Sequence, residues 1–455
     1  MSPNIELDSC LSVSIFGYTI ISSTEFIHKI VYCSNLKKGL AIAAAAVLLA
    51  GCSASAAASS PAVSSAASQS TNTSGTSTVT TVNASANAVI DTADLFTSRD
   101  LEQSVDTSNA EYITLENNKD ISITSEGVYI ISGTSSETTI TVEAPEDAKV
   151  QIVLDNASIT NTDSPAIYVK SADKVFVTAA EGSVNTFKVT GTFTPDSTVN
   201  TDAVIFSKSD LTLNGTGTLN ITSSKNGITS KDDLKVTGGT WNITSEADGL
   251  EANDSIAIAD GSITINANKD GMHAENDEDN AKGYVYIAGG TFSIQASDDG
   301  IQATTICEID GGTFTINASE GIEGTDVEIN CGDITINASD DGINAAAKST
   351  AYSVQIIIND GTLNITMGAG DTDAVDANGS ITVNGGIINI TAQTSSFDYD
   401  TTGTINGGTV TVNGEQITEM PSSMMGGGMK GMQGNQGTQG RSADASSGST
   451  QTKQS

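Results

Sequence analysis

From about residue 112 to residue 412, apolar side chains recur at every second position in short runs, as in Thr313-Phe314-Thr315-Ile316-Asn317-Ala318. A period of two turns one side of each run toward a core and the other toward solvent, which predicts half-buried β-strands. Glycine markers punctuate the runs: Gly238-Gly239-Thr240, Asp260-Gly261-Ser262, Gly289-Gly290-Thr291 and Gly311-Gly312-Thr313. Later copies are Asp360-Gly361-Thr362, Gly385-Gly386-Ile387 and Gly407-Gly408-Thr409. The second glycines of the first four stand at 239, 261, 290 and 312, at intervals of 22, 29 and 22. A second marker reads Asp248-Gly249-Leu250, Asp270-Gly271-Met272, Asp299-Gly300-Ile301 and Asp341-Gly342-Ile343. Its looser copies are Asn226-Gly227-Ile228, Glu320-Gly321-Ile322 and Asp373-Ala374-Val375. Insertions around residues 276–283 and 345–353 account for the longer intervals.

Several short strands per repeat of about 22 residues predict an all-β fold, a parallel β-helix solenoid with one coil per repeat. Leucine-rich repeats share the period, but their Leu/Asn framework and helical segment are missing, and a propeller needs about twice the period. Coils stacked ~4.8 Å apart bring equivalent residues into ladders, with Ile, Leu, Val and Phe turned inward. A core of medium-sized side chains accounts for an aromatic content of only 4%. Cys307 falls in an inward register beside Ile309 and Cys331 falls at a turn, so no bond between them is expected. Open solenoid ends need covers. Residues 89–101 are expected to form an amphipathic cap, ahead of less regular first coils between residues 112 and 189.

The flanks differ in composition. Lys37 and Lys38, an apolar stretch over residues 39–50 and the run Leu49-Ala50-Gly51-Cys52 follow the order of a bacterial lipoprotein signal, with Cys52 as the lipidation site. The apolar run is too short to span a bilayer. Membrane association is therefore expected through a lipid anchor alone, on the extracellular face. Residues 1–35 fit no part of that signal and read as an over-extended start before a signal peptide over 36–52. Residues 53–88, almost all Ser, Ala and Thr, read as a flexible linker, residues 89–419 as the β-helix domain, and residues 420–455 as a disordered tail. A monomer is expected.

Acidic residues number 55 against 19 basic, for a net charge of −36. That balance excludes a nucleic-acid binder working through phosphate contacts. The Asp of each Asp-Gly pair has an ordinary role in a turn, where Gly supplies positive φ. Stacking adds a cost: two carboxylates ~4.8 Å apart repel by roughly 0.9 kcal/mol in water and ~3.5 kcal/mol at an effective dielectric of 20. Asp248 and Asp270 are ladder neighbours, as are Asp299, Glu320 and Asp341, with Asp373 beyond. Three residues further along each coil runs a second column: Glu251, His273, Gln302, Glu323, Asn344 and Asp376. A shorter column contains Asp232, Asp254 and Asp326, and Glu275 opens the acidic loop Glu275-Asn276-Asp277-Glu278-Asp279. Oxygen-rich columns suit a hard cation, and Ca²⁺ tolerates their variable geometry best.

Further stretches carry a family resemblance: Arg99-Asp100-Leu101, Tyr129-Ile130-Ile131-Ser132-Gly133-Thr134, Ala166-Ile167-Tyr168-Val169-Lys170 and Lys282-Gly283-Tyr284-Val285-Tyr286-Ile287. With Ser230-Lys231-Asp232-Asp233-Leu234-Lys235-Val236-Thr237-Gly238-Gly239-Thr240 and the repeated Asp-Gly-Ile, the chain resembles the clostridial calcium-binding β-helix carbohydrate-binding family over about residues 94–412. The resemblance implies a right-handed, pectate-lyase-like parallel β-helix, bound Ca²⁺, and recognition of acidic plant polysaccharide such as polygalacturonate, with cellulose a second candidate. It carries calcium ligands over to Asp248, Asp270, Asp299 and Asp341, while Glu320 and Asp373-Ala374 depart from the pattern. A protein this acidic repels a polyuronate unless cations bridge the two, and calcium with open coordination positions does that.

The expected role is binding without catalysis, and two alternatives stay open. A calcium-dependent polysaccharide lyase needs a positioned base; no arginine occurs between Arg99 and Arg441, which leaves Lys225, Lys231 and Lys269. Acid pairs such as Asp298-Asp299 and Asp340-Asp341 resemble a hydrolase's carboxylates, but repeat turns generate them anyway. The other alternative is a surface adhesin or spacer in which calcium only stiffens the rod. Trp241, the sole tryptophan, lies in a strand and reads as core rather than as a sugar platform.

Overall fold

The structure, a computed structural model, describes residues 12–15, 18–21, 90–196, 199–370 and 372–421. Ser12–Ile15 and Tyr18–Ile21 form a short antiparallel hairpin. The remaining strands fall into three rows, and among the described residues there is no helix.

The first row includes Thr218–Ser223, Thr240–Ser245, Ser262–Ala267, Thr291–Ala296, Thr313–Ala318 and Asp333–Ala338, each paired in parallel with the next. The second includes Asp210–Gly215, Asp233–Val236, Ser255–Ile258, Tyr284–Ile287 and Ile306–Ile309. The third includes Asn226–Ser230, Leu250–Ala252, Met272–Ala274, Asp299–Ala303, Glu320–Gly324, Asp341–Ala345 and Asp373–Ala377. The chain visits the rows in turn, so each strand pairs with the strand three further on. The first two rows belong to one 24-stranded sheet and the third to a 12-stranded sheet. Strand Lys149–Asn161 joins the first two rows: its first half pairs with Lys174–Ala179 and its second with Val184–Val189. Long parallel sheets wound in this order are compatible with a β-solenoid.

Alternation builds the core. In Ser262–Ala267 and Thr291–Ala296 every second residue is buried and the others are exposed. The inward residues stack in register: Trp241 on Ile263, Ile263 on Phe292, and Phe292 on Phe314, the last pair with rings 4.4 Å apart. Trp241 is buried, and its Nε1 donates to the Gly238 carbonyl at 2.7 Å, so it offers no sugar platform. Cys307 is a buried free thiol, not bonded to Cys331. Gly312 in its marker turn has φ +108°, a left-handed backbone that glycine adopts without a Cβ clash. Register shifts at Ile131/Gly133 and Val142/Glu143 mark the less regular first coils.

One expectation is corrected. Residues 90–107 do not cap an end of the stack; they run as a strap along the outer side of the second row. Ile90 N donates to Glu308 at 3.1 Å, Lys235 Nζ to the Leu95 carbonyl at 2.7 Å, and Gly215 N to Gln103 at 2.9 Å. Leu95 packs with Ala257 and Tyr286, and Arg99 lies 4.6 Å over the Phe176 ring. Asp100, fully buried, anchors the strap to Lys174 at 3.2 Å and Thr212 at 2.9 Å. The polar groups that fix the strap (Asp100, Gln103) do not belong to an amphipathic end cap. They match the outward Lys174, Thr212 and Lys235 of the strands beneath.

Candidate functional site

The third row carries the acidic residues. Its strands are short and each begins at a turn, so the residue entering the strand repeats at one corner of every coil. Asp299 stands in register with Glu320, and Asp341 with Asp373. The second column is in register along its whole length: Glu251 with His273, His273 with Gln302, Gln302 with Glu323, Glu323 with Asn344, and Asn344 with Asp376. Both longer ladders read from the sequence therefore lie on one side of the molecule.

The local chemistry of the Asp-Gly marker differs from expectation in two ways. The carboxylates of Asp248, Asp270 and Asp341 do not bond within their own turns; they accept the backbone N–H of the next coil. Asp270 N donates to Asp248 Oδ1 at 3.1 Å, Asp299 N to Asp270 Oδ1 at 2.9 Å, and Asp373 N to Asp341 Oδ1 at 3.2 Å. One oxygen is thus structural and the other remains for the column. The marker glycine is also not needed for positive φ. A Cβ on Gly300 would lie 2.5 Å from the Gly321 carbonyl and 2.4 Å from Ile316, so close approach between coils excludes a side chain.

The two ends of the column are electrically unlike. At Asp248 and Asp270 the acids have basic company: His273 Nδ1 lies 3.4 Å from Asp270 and 3.9 Å from Asp248, and Lys269 lies 3.9 Å from Asp248. Burial works against ionised Asp248, but the neighbouring His273, the Asp270 N–H and Lys269 outweigh it and hold its carboxyl below the usual range. Burial likewise opposes the protonated His273 imidazole, and Asp248, Asp270 and Glu275 outweigh it and raise its pKa. Glu275, more than half exposed, lies 3.4 Å from His273.

Further along, repulsion dominates. Asp299, Glu320 and Glu323 bring carboxylate oxygens within 4.8 Å of one another, as do Asp270, Asp298 and Asp299. Burial, then the charges of Asp270, Glu320 and Glu323, push Asp299 well above the carboxylate range. Burial and the adjacent Asp376 raise Asp341 to about 7, and burial with Asp373 and Asp398 raises Asp376 to about 6. Lys348 Nζ reaches Glu323 at 2.5 Å. Asn344 turns its amide N–H groups to Glu320 at 3.0 Å and Glu323 at 3.3 Å, while its own oxygen, buried beside them, has no hydrogen-bond donor. A buried oxygen without a donor among crowded carboxylates is the donor set of a hard cation, so these residues fit a metal ion.

The insertions form the wall of this site. Asn280 Nδ2 donates to Thr350 at 2.9 Å and Tyr352 OH to the Ala281 carbonyl at 3.1 Å, so the two loops clasp each other. Beside them, Lys231, Asp232, Asp254, His273, Glu275 and Lys282 line an acidic cavity of about 580 Å³. The shorter column is corrected: Asp232, Asp233 and Asp254 cluster, but Asp326 stands in register with Ile306 and Gln355, one position over. The corner between Glu323 and Asp326 is one residue shorter than the one between Gln302 and Ile306, which displaced the count. Asp298, Asp233 and Lys348 also belong to the site. The doubled acids Asp298-Asp299 and Asp232-Asp233 were visible in the sequence, whereas nothing there ties Lys348 to Glu323. Cys52 lies outside the described residues.

Fold and site together define an all-β protein of stacked parallel strands with acidic clusters that could hold a metal ion. A carbohydrate-binding domain-containing protein family matches residues 117–372 and 318–452, and the chain belongs to that family. A carbohydrate-binding domain-containing protein of Acetivibrio thermocellus is 36% identical over 124 residues, 27% of this chain, and the match spans 43% of that relative's length. A solved polysaccharide lyase-like protein from C. thermocellum, a gadolinium derivative, is 24% identical, covering 68% of this chain and 96% of its own, with a TM-score of 0.38.

Proposed function

We propose that this chain is a cell-surface lipoprotein that binds acidic polysaccharide, polygalacturonate being the type ligand and cellulose a second candidate, through calcium held on the third row of a right-handed parallel β-helix with coils of about 22 residues. The carrying observation is the Asp299–Glu320–Glu323 cluster beside the donorless oxygen of Asn344. Calcium there neutralises carboxylates that otherwise repel, and its remaining coordination positions accept sugar carboxylates and hydroxyls. Asp248, Glu251, Asp270, Asp341, Asp373 and Asp376 supply the flanking column, and Glu275 the rim. Family membership supports the polysaccharide, and the net charge of −36 supports a bridging cation.

A lyase reading is less supported. Lys231 Nζ lies 3.1 Å from Glu251 and Lys269 lies 3.9 Å from Asp248, so both amines sit as counterions to the column. Retention on insoluble pectate, measured with calcium and with chelator, tests the proposal: binding is expected with calcium alone, and chelator-resistant retention would sink it. Unsaturated uronide absorbance in the supernatant would move the chain to the lyases, and calcium-dependent stability without retention would make it a spacer. The lipid anchor is tested separately by mass spectrometry of the mature N-terminus, which should show diacylglycerol on Cys52.

A further inference from the structure

A different side of the molecule carries a second surface. The outward residues of the first row form a field mainly of hydroxyls and amides, with Ile387 exposed toward one end and a central file of Asn242, Thr264, Ser293, Thr315, Thr335 and Asn364 held in register. From Thr218–Ser223 to Thr409–Val412, Asp333 is the one charged outward side chain on these strands. In a chain of net charge −36 that neutrality is anomalous, because soluble surfaces normally intersperse both signs of charge. The amides along the field are oriented by one another: Asn242 donates to Asn220 at 2.9 Å, Asn337 to Asn317 at 3.0 Å, and Asn389 to Asn364 at 3.0 Å. An amide has two donors and an oxygen with two lone pairs, so each stacked amide keeps a donor or acceptor facing outward.

A groove runs along the shoulder of this field, crossing the coils. It encloses about 460 Å³ and is lined on its polar side by Gln295, Asn317, Asn337, Ser297, Ser319 and Ser339, with no charged group. The lattice of polar groups repeats at ~4.8 Å between coils and ~6.6 Å along each strand. A polyanion finds no cation here. A neutral chain of pyranose units offers hydroxyls in regular succession to such an array and needs no bridging ion.

We propose that the first-row face and its groove bind a neutral, extended polysaccharide in ordered array, independently of metal, so that the chain has two sugar-binding faces of opposite electrostatic character. The inference rests on the family's carbohydrate binding but not on the calcium site, and it assigns a neutral chain such as cellulose to this face in place of the calcium column. The test uses the full chain and microcrystalline cellulose as probe. Retention should persist in chelator and fall roughly ten-fold, about 1.4 kcal/mol, in the double variant Thr315→Lys/Asn337→Lys, whose positions are at the surface, while pectate retention with calcium stays unchanged. Thr315→Ser should restore retention relative to Thr315→Lys, and an unaltered thermal midpoint establishes that the double variant is folded. Loss of cellulose retention in chelator would overturn the proposal and assign the sugar to the acidic face. Equal retention by the double variant, or inhibition of ice growth in place of glycan retention, would also overturn it.

Discussion

The first and third rows are built from the same repeat with the same register, and they respond to stacking in opposite ways. In the first row Asn317 and Asn337 stack and bond at 3.0 Å. In the third row Asp299 stacks on Glu320, and burial together with the charges of Asp270 and Glu320 raises its proton affinity. An amide is both donor and acceptor, so a file of amides satisfies itself; a carboxylate only accepts, so a file of carboxylates repels at every step. A solenoid therefore multiplies whatever the outward residue does. Outward residue type, not strand propensity, decides whether a face is a neutral platform or a trap for cations.

Removing divalent metal should disturb the contrast most. Calcium at 100 times its dissociation constant stabilises the fold by about 2.7 kcal/mol, so chelation should lower the thermal midpoint by roughly 5 °C or more. An unchanged midpoint in calorimetry would contradict the third-row site.

Next in size is the pH response of the metal-free protein. Asp341 at about 7, Asp376 at about 6 and Asp270, raised by burial to about 6 despite the Asp299 N–H and His273, bind protons in the fold at pH values where the unfolded chain has released them. Stability in chelator should therefore fall as pH rises from about 4 to about 7, by up to ~1.4 kcal/mol per pH unit for each proton involved. Saturating calcium should flatten or invert that slope in thermal melts, because protons and metal compete for the same oxygens.

Single carboxylates sharpen the comparison. Asp299→Asn replaces an acid by an amide of the same shape and should raise metal-free stability by about 1 kcal/mol while abolishing the calcium-induced shift. Asp248→Asn should do the reverse in the metal-free state, lowering stability by about 1 kcal/mol, because its charge is favoured by His273 and Lys269. Chemical denaturation of both variants, with and without calcium, separates the two ends of the column. The smallest effect belongs to Lys348→Ala: its partly exposed ion pair with Glu323 is worth under about 1 kcal/mol, and calcium should mask its loss.

Much of this was legible in the one-dimensional pattern. Alternation in Thr313–Ala318 gave strand and inward face together, and the recurrence of Asp248, Asp270, Asp299 and Asp341 gave the third-row ladder, because strand register translates sequence spacing directly into stacking. Spacing could not say which atom accepts which proton. The bonds from the Asp270, Asp299 and Asp373 N–H groups to the preceding Asp, and the clash that excludes a Cβ at Gly300, exist only once two coils are side by side. Asp326 was misplaced because the corner after Glu323 is one residue shorter than the one after Gln302, a change that periodicity does not reveal. The strap escaped for a similar reason: Asp100 meets Lys174 and Thr212 across 74 and 112 residues, and no local pattern encodes such a distance.

That strap has a consequence for how the molecule is made. Its residues leave the ribosome before every coil they touch, and Ile90 waits for Glu308, 218 positions later, to be synthesised. The winding of the rod can proceed from its early turns as each emerges, but the buried Asp100–Lys174 pair and the Leu95 contacts cannot all close until the later turns exist.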